Sequence, residues 1–162
     1  MAFGTTFVFN NIVFLFALLK KDNSIVDITW GLSLLIPNLV VMFFLSHSYL
    51  AARSVLSNAL VAVWALRLTY HIGKRHKGVE DYRYAQWREE WERDGKNVAF
   101  TSWYFVFLLQ ALFSCINNLS ALYISMYAAS KTDPDTAALN ALDIIGLLVW
   151  LTGFYFEAVG DY

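Results

Sequence analysis

The sequence predicts an all-α, multi-pass helical membrane protein with about five transmembrane helices and one cytosolic amphipathic helix. Composition is the first reason. Of 162 residues, 58% are hydrophobic and 15% charged, against roughly 45–50% and 25% in an average soluble domain. The second is arrangement, because the apolar residues fall into uncharged runs near the ~20 residues that cross a bilayer core. The third is that the charges between the runs segregate by side. A net charge of −1 offers no global field for nucleic acid. The lone Cys115 gives neither an internal disulfide nor a thiolate metal cluster.

Taken in order, the first span covers residues 3–19. It has no Lys or Arg before Lys20, so it lacks the basic start of a signal peptide and reads as a retained span. The second span, 28–48, opens on Asp27-Ile28-Thr29-Trp30-Gly31, with Asp27 as helix N-cap and Trp30 as interfacial anchor. The third, 54–72, carries Arg67 about one turn from its end. From there Arg67 can snorkel to the interface or contact an anion shielded from lipid.

Residues 73–97 form a polar loop. Glu80 to Asp94 reads as an amphipathic helix with Tyr84, Trp87 and Trp91 on one face. Glu80 and Asp81 suit its first turn, Arg88–Glu92 and Glu89–Arg93 suit i, i+4 pairing, and Gly95 suits its stop. Two uses fit this helix: aromatic anchoring at the headgroups, or arginines that cover a phosphate-bearing ligand.

The fourth span, 101–122, lies in an uncharged stretch, 98–130, that is too long for one simple crossing. Its end, from Asn117 to Ala129, is expected to bend, tilt or lie in the interface. The Asn118-Leu119-Ser120 sequon falls there, a poor place for glycosylation. The fifth span, 137–158, contains Asp143 roughly two turns in. Either that helix starts later or Asp143 faces protein. Glu157 and Asp161 are four apart and share a face. They repel unless a cation or donor lies between them, and they suit either a solvated helix end or a site for a polar ligand.

Counting Lys and Arg orients the chain. One side receives Lys20, Lys21, Lys74, Arg75, Lys77, Arg83, Arg88, Arg93 and Lys96; the other receives Arg53 and Lys131. The first side is therefore cytosolic, with Tyr162 at that face, and the whole of 1–162 reads as a single transmembrane domain. His47 is placed on the opposite side from His71 and His76, too few and too scattered for a multi-histidine metal centre. No metal site is expected. Gly73-Lys74-Arg75-His76-Lys77-Gly78 lacks the order of a phosphate-binding Walker loop, and neither Gly-x-Ser-x-Gly nor Gly-x-Gly-x-x-Gly occurs.

One wider pattern remains. Trp64-Ala-Leu-Arg67-Leu-Thr-Tyr70-His71, then Arg75, then Gly78-Val-Glu80-Asp81-Tyr82-Arg83-Tyr84 resemble the central signature of the steroid 5-alpha-reductase-like membrane family. Asp27-x-x-Trp30-Gly31 resembles its opening motif in a less characterised branch. The run from Trp103 to Gln110 and Gly153-Phe-Tyr-Phe-Glu157-x-x-x-Asp161 extend the resemblance from about residue 27 to the end.

The resemblance implies a helical membrane oxidoreductase that uses NADPH to reduce a conjugated carbon–carbon double bond. The lipophilic substrate enters from the bilayer and the cofactor from the cytosol. It implies cofactor contacts at Glu157 and Asp161, a phosphate role for Arg75, and a matching family arginine at Arg67. Trp64 stands where steroid reductases carry a catalytic Tyr, and no Glu precedes Glu80, so no catalytic residue is assigned. Family members run further, into an Arg-His-Pro-Asn-Tyr-like motif, so the chain reads as an N-terminal portion. Two other classes fit. One is a lipid-linked thiol carboxyl methyltransferase, similar to the isoprenylcysteine enzymes; the other is a non-catalytic membrane module. The expected setting is the endoplasmic reticulum membrane in a eukaryote or the inner membrane in a bacterium. The expected partners are the bilayer and a lipophilic small molecule, with no nucleic acid; oligomeric state is left open.

Overall fold

The computed structural model describes residues 1–44, 52–130 and 139–161. His47, Lys131 and Tyr162 lie outside them. Among the described residues seven helices follow in order: α1 Ala2–Lys20, α2 Ile25–Phe44, α3 Ala52–Arg75, α4 Tyr82–Arg93, α5 Val98–Asn117, α6 Leu119–Ser130 and α7 Ala141–Gly160. No strand occurs among the described residues. Five helices (α1, α2, α3, α5 and α7) are long and apolar enough to cross a membrane. Large side chains such as Leu19, Phe44, Leu142 and Val149 point outward, as a lipid-facing surface requires. The protein is a multi-pass helical membrane protein.

Each boundary has a local cause. Helix α1 ends with Lys21 in the left-handed region at φ 55°. The Lys21 and Asp22 amides donate back to the Leu18 and Ala17 carbonyls, the two bonds of a Schellman stop. Helix α4 closes the same way around Gly95 at φ +69°, with Gly95 N–H on Glu92 and Lys96 N–H on Trp91. Asn140 and Asp143 cap α7 reciprocally. The fifth span therefore starts later than 137, and Asp143 belongs to its first turn.

Four expectations need correction. Asp27 is not an N-cap: α2 begins two residues earlier, where the Ser24 amide donates to the Asp22 carboxylate at 2.9 Å. Trp30 is no interfacial anchor; it packs edge-on against Trp64, ring centroids 5.8 Å apart. Glu80 lies before α4 rather than in its first turn, and Asp81 is the N-cap. Arg88 turns back to Glu80 at 2.8 Å instead of forward to Glu92, because Glu80 is buried deeper and binds the guanidinium through both oxygens. Tyr84, Trp87 and Trp91 do share a face. Tyr84 joins Val13, Ala17, Val26, Val106 and Phe107 in the packed core at the basic end of the bundle, with Trp91 against it.

Inside the bundle, polar side chains join neighbouring helices. Asn23 donates to Ser102 at 2.9 Å, Ser33 meets Ser114 at 2.6 Å, and Asn38 donates to Asn118 at 2.7 Å. These three rungs run from the turn before α2 and the start of α5 down to the break after α5, and both helices start at the basic end. They depend on a π-helical segment, Trp103–Leu108, within α5. Ser102 and Ser114 are twelve residues apart, about 120° out of phase on a regular α-helix. The π segment absorbs one extra residue, which brings both serines onto the α2 face. Asn118, 2% exposed, also donates to the Leu34 carbonyl. Held there, it breaks the long apolar stretch into α5 and α6, and its amide is unavailable as a sequon.

Candidate functional site

Two features occupy the basic end. The first is an ion cluster between α3 and α7. The Arg67 guanidinium bonds Glu157 at 2.8 Å and also binds Asp161. Trp64 donates its indole N–H to Glu157 at 2.9 Å. Arg67 also lies over the Phe154 ring, 5.4 Å from its centroid. Arg67 therefore does not snorkel. It is the cation that two carboxylates on one helix face demand. At the other end of the same two helices, Arg53 binds Asp143 through two bonds of 2.8 Å. Arg53 and Arg67 are fourteen residues apart, as are Asp143 and Glu157. Between the clamps, Leu147, Trp150 and Phe154 are the half-buried residues of α7, at alternating spacings of four and three, while its backbone stays apart from that of α3 and long side chains bridge the two. No residue of α7 is buried, so ion pairs carry much of its attachment.

The second feature is a cleft of about 770 Å³. Ser24, Asp27 and Trp30 line it from α1–α2, Leu68, Ile72 and Arg75 from α3, and Gln110 from α5. The segment 76–81 forms its rim, pinned to the α1–α2 turn. The Asn23 amide donates to Glu80 at 2.7 Å. Gly78 N–H donates to His76 Nδ1, which leaves the imidazole proton on Nε2, 2.9 Å from Asp22. Arg83, clasped by Asp81, holds that carboxyl below its ordinary value. Tyr84 donates to Asp27 at 2.8 Å, and burial, with Asp27 beside it, pushes the phenol up. The phenol thus stays a donor, and it fixes one Asp27 oxygen while the carboxylate edges the cleft.

Charge at the cleft mouth is unbalanced. Arg83 and His76 are paired, but Arg75 and Lys77 make no hydrogen bond or ion pair among the described residues. Deeper in, the walls are Trp30, Leu68 and Ile72. The Trp30 indole N–H is buried without a partner, an omission worth about 1–3 kcal/mol.

Of the four residues the sequence marked, Arg67, Glu157 and Asp161 come together. Arg75 stands about 12 Å further along α3, in the cleft. The two features touch through the Trp30–Trp64 contact, since Trp30 lines the cleft and Trp64 bonds Glu157. Lys77 and Gln110 were not marked. Gln110 carried a signal, being polar in an uncharged span, but its face depends on the π segment. His71 Nε2 is buried without a partner, while His76 serves the rim.

No curated protein and no solved structure matches the chain. A family profile, described as protein of unknown function (DUF1295), matches residues 13–162. That range holds every residue of the cleft and of both clamps, and the chain belongs to this DUF1295 family, in the steroid 5-alpha-reductase-like group.

Proposed function

We propose that the chain forms part of an NADPH-dependent membrane reductase acting on a conjugated double bond of a lipophilic, sterol- or enone-like substrate. The observation that carries this reading is the charge pattern of the cleft: two unpaired cations, Arg75 and Lys77, at a mouth that leads to apolar walls. A dinucleotide phosphate suits that mouth. Arg75 offers a planar fork of donors and Lys77 a compact charge. NADPH, when bound, supplies the hydride. The chain's own part is to hold the phosphate, to keep water from the inner wall, and to present that wall to a lipid-soluble molecule. The reductive chemistry in this reading comes from the resemblance to the steroid 5-alpha-reductase-like group. Arg67 pairs with both Glu157 and Asp161, which leaves one negative charge in excess, and the three act in this reading by fixing α7 beside the cofactor end. The basic end faces the cytosol, in the endoplasmic reticulum membrane of a eukaryote or the inner membrane of a bacterium.

The test is NADPH titration of the purified chain in lipid nanodiscs, read by nicotinamide fluorescence, with S-adenosylmethionine alongside. Saturable NADPH binding is expected. Arg75→Ala should weaken it about tenfold, the worth of one charge-assisted hydrogen bond. Absence of NADPH binding, or binding indifferent to Arg75 and Lys77, refutes the reading. Saturable S-adenosylmethionine binding instead would favour methyl transfer.

A further inference from the structure

Along α2 and α5 the polar rungs come in register: Asn23 with Ser102, Ser33 with Ser114, Asn38 with Asn118. One rung is missing. Trp30 stands one turn nearer the basic end than Ser33, and Gln110 one turn nearer than Ser114. A side-chain bond between them would complete the series. Instead both residues line the cleft. The Trp30 N–H has no acceptor, and the Gln110 amide makes no hydrogen bond among the described residues. Gln110 owes its face to the π segment just before it, a helix irregularity that gathers at functional sites.

We infer that Trp30 and Gln110 form the inner subsite of the cleft, binding the carbonyl or hydroxyl oxygen of a lipophilic ligand. This rests on the proposed reading for the identity of the ligand as substrate, and it adds the residues that recognise its oxygen. The location favours such a ligand. Gln110 lies about 18 Å along α5 from Val98, inside the hydrocarbon zone, among Trp30, Leu68 and Ile72. An oxygen there accepts from the indole N–H and from the amide NH₂, and a hydroxyl can also donate to the amide oxygen. A hydrocarbon leaves both groups unpaired. The subsite therefore selects for an oxygen rather than for apolar bulk.

The experiment uses the full chain in nanodiscs with ¹⁵N-indole tryptophan. The Trp30 resonance is assigned through Trp30→Phe, and a ketone (2-undecanone, then a 4-en-3-one steroid) is compared with undecane and the matching hydrocarbon steroid. At least one ketone is expected to move the Trp30 N–H resonance while its hydrocarbon does not. Gln110→Leu should weaken that ketone's affinity about tenfold. If Trp30→Phe does not fold, the Gln110→Leu comparison decides alone. The inference is overturned if no ketone exceeds its hydrocarbon, or if Gln110→Leu leaves ketone affinity unchanged. NADPH is titrated in the same samples. A ketone response without NADPH binding overturns the cofactor reading and leaves the subsite standing. NADPH binding without a ketone response does the reverse.

Discussion

Gly31 is the point where α2 and α3 come closest, and Gly31→Ala tests that packing directly. A Cβ built there lies 2.7 Å from the Ala65 carbonyl oxygen and 2.9 Å from the Ala65 Cα. Both are backbone atoms, so no side chain can swing aside, and Ala65 is 0% exposed. Carbon atoms settle at about 3.5–4.0 Å, so the two helices must part by roughly 0.6 Å or more. Overpacking of this kind costs about 1–3 kcal/mol. Against it stands a gain of about 1 kcal/mol for replacing a helical glycine by alanine. The expected net effect is destabilisation by up to about 2 kcal/mol, which is about 1–3 kcal/mol below the Gly73→Ala control. Two controls isolate the cause. At Gly73, in the same helix pair, the added Cβ would meet only Ile28 Cγ2 at 3.5 Å, an ordinary contact. At Gly146 nothing lies within 4 Å. Both alanine variants should match or exceed the parent. The assay is unfolding in mixed micelles, followed by far-UV circular dichroism, with near-UV signal reporting the Trp30–Trp64 contact. If Gly31→Ala proves as stable as Gly73→Ala, the close approach is not what holds α2 to α3, and the reasoning fails.

Arg67→Met should strip α7 of its basic-end clamp. The partners are half-exposed, with side chains 20–38% accessible, so the cost falls between a surface pair and a buried one, about 2 kcal/mol. It should appear as faster amide exchange in the last turns of α7, with Glu157→Gln restoring part of the loss in the double variant. Asp81 gives a pH-dependent counterpart at the start of α4. Arg83 holds its carboxyl below the ordinary value of 3.8, so its stabilisation is complete above that value and fades as pH falls through the lowered one. Amide protection at Arg83 and Tyr84 should weaken on acidification below about pH 4, and Asp81→Asn should abolish that dependence.

The five spans were legible because lipid demands long apolar helices, and that demand is written into composition residue by residue. The errors fall where a distant partner overrides a local preference. Asp27 has the chemistry of an N-cap, but Tyr84, 57 residues away, takes its carboxylate, while Asp22 begins the turn instead. Arg88 had a local mate in Glu92 and took Glu80, whose burial makes the pair worth more. The Glu157–Asp161 spacing did announce that a cation was needed. Which cation could not be read, since Arg67 lies about ninety positions earlier and Arg75 or Lys74 would serve equally by charge. The face presented by Gln110 was hidden for a different reason: a π segment shifts helical phase without a compositional mark.

The equal fourteen-residue spacing of the two clamps has a mechanical consequence. Two ion pairs at the same separation on both helices fix α7 in rotation and in register against α3, although none of the α7 side chains is fully buried. One clamp alone would leave α7 free to pivot. The clamp at the basic end also holds Trp64, through Glu157, and Trp64 is the edge against which Trp30 rests. Trp30 in turn is a wall of the cleft. The position of α7 is thereby coupled to the shape of the inner cleft through two indoles and one carboxylate, with no contact needed between α7 and the ligand. On this geometry Glu157 matters to ligand binding as a positioning residue. Glu157→Gln, which keeps an acceptor for the Trp64 N–H, should disturb the cleft less than Glu157→Leu, which keeps none.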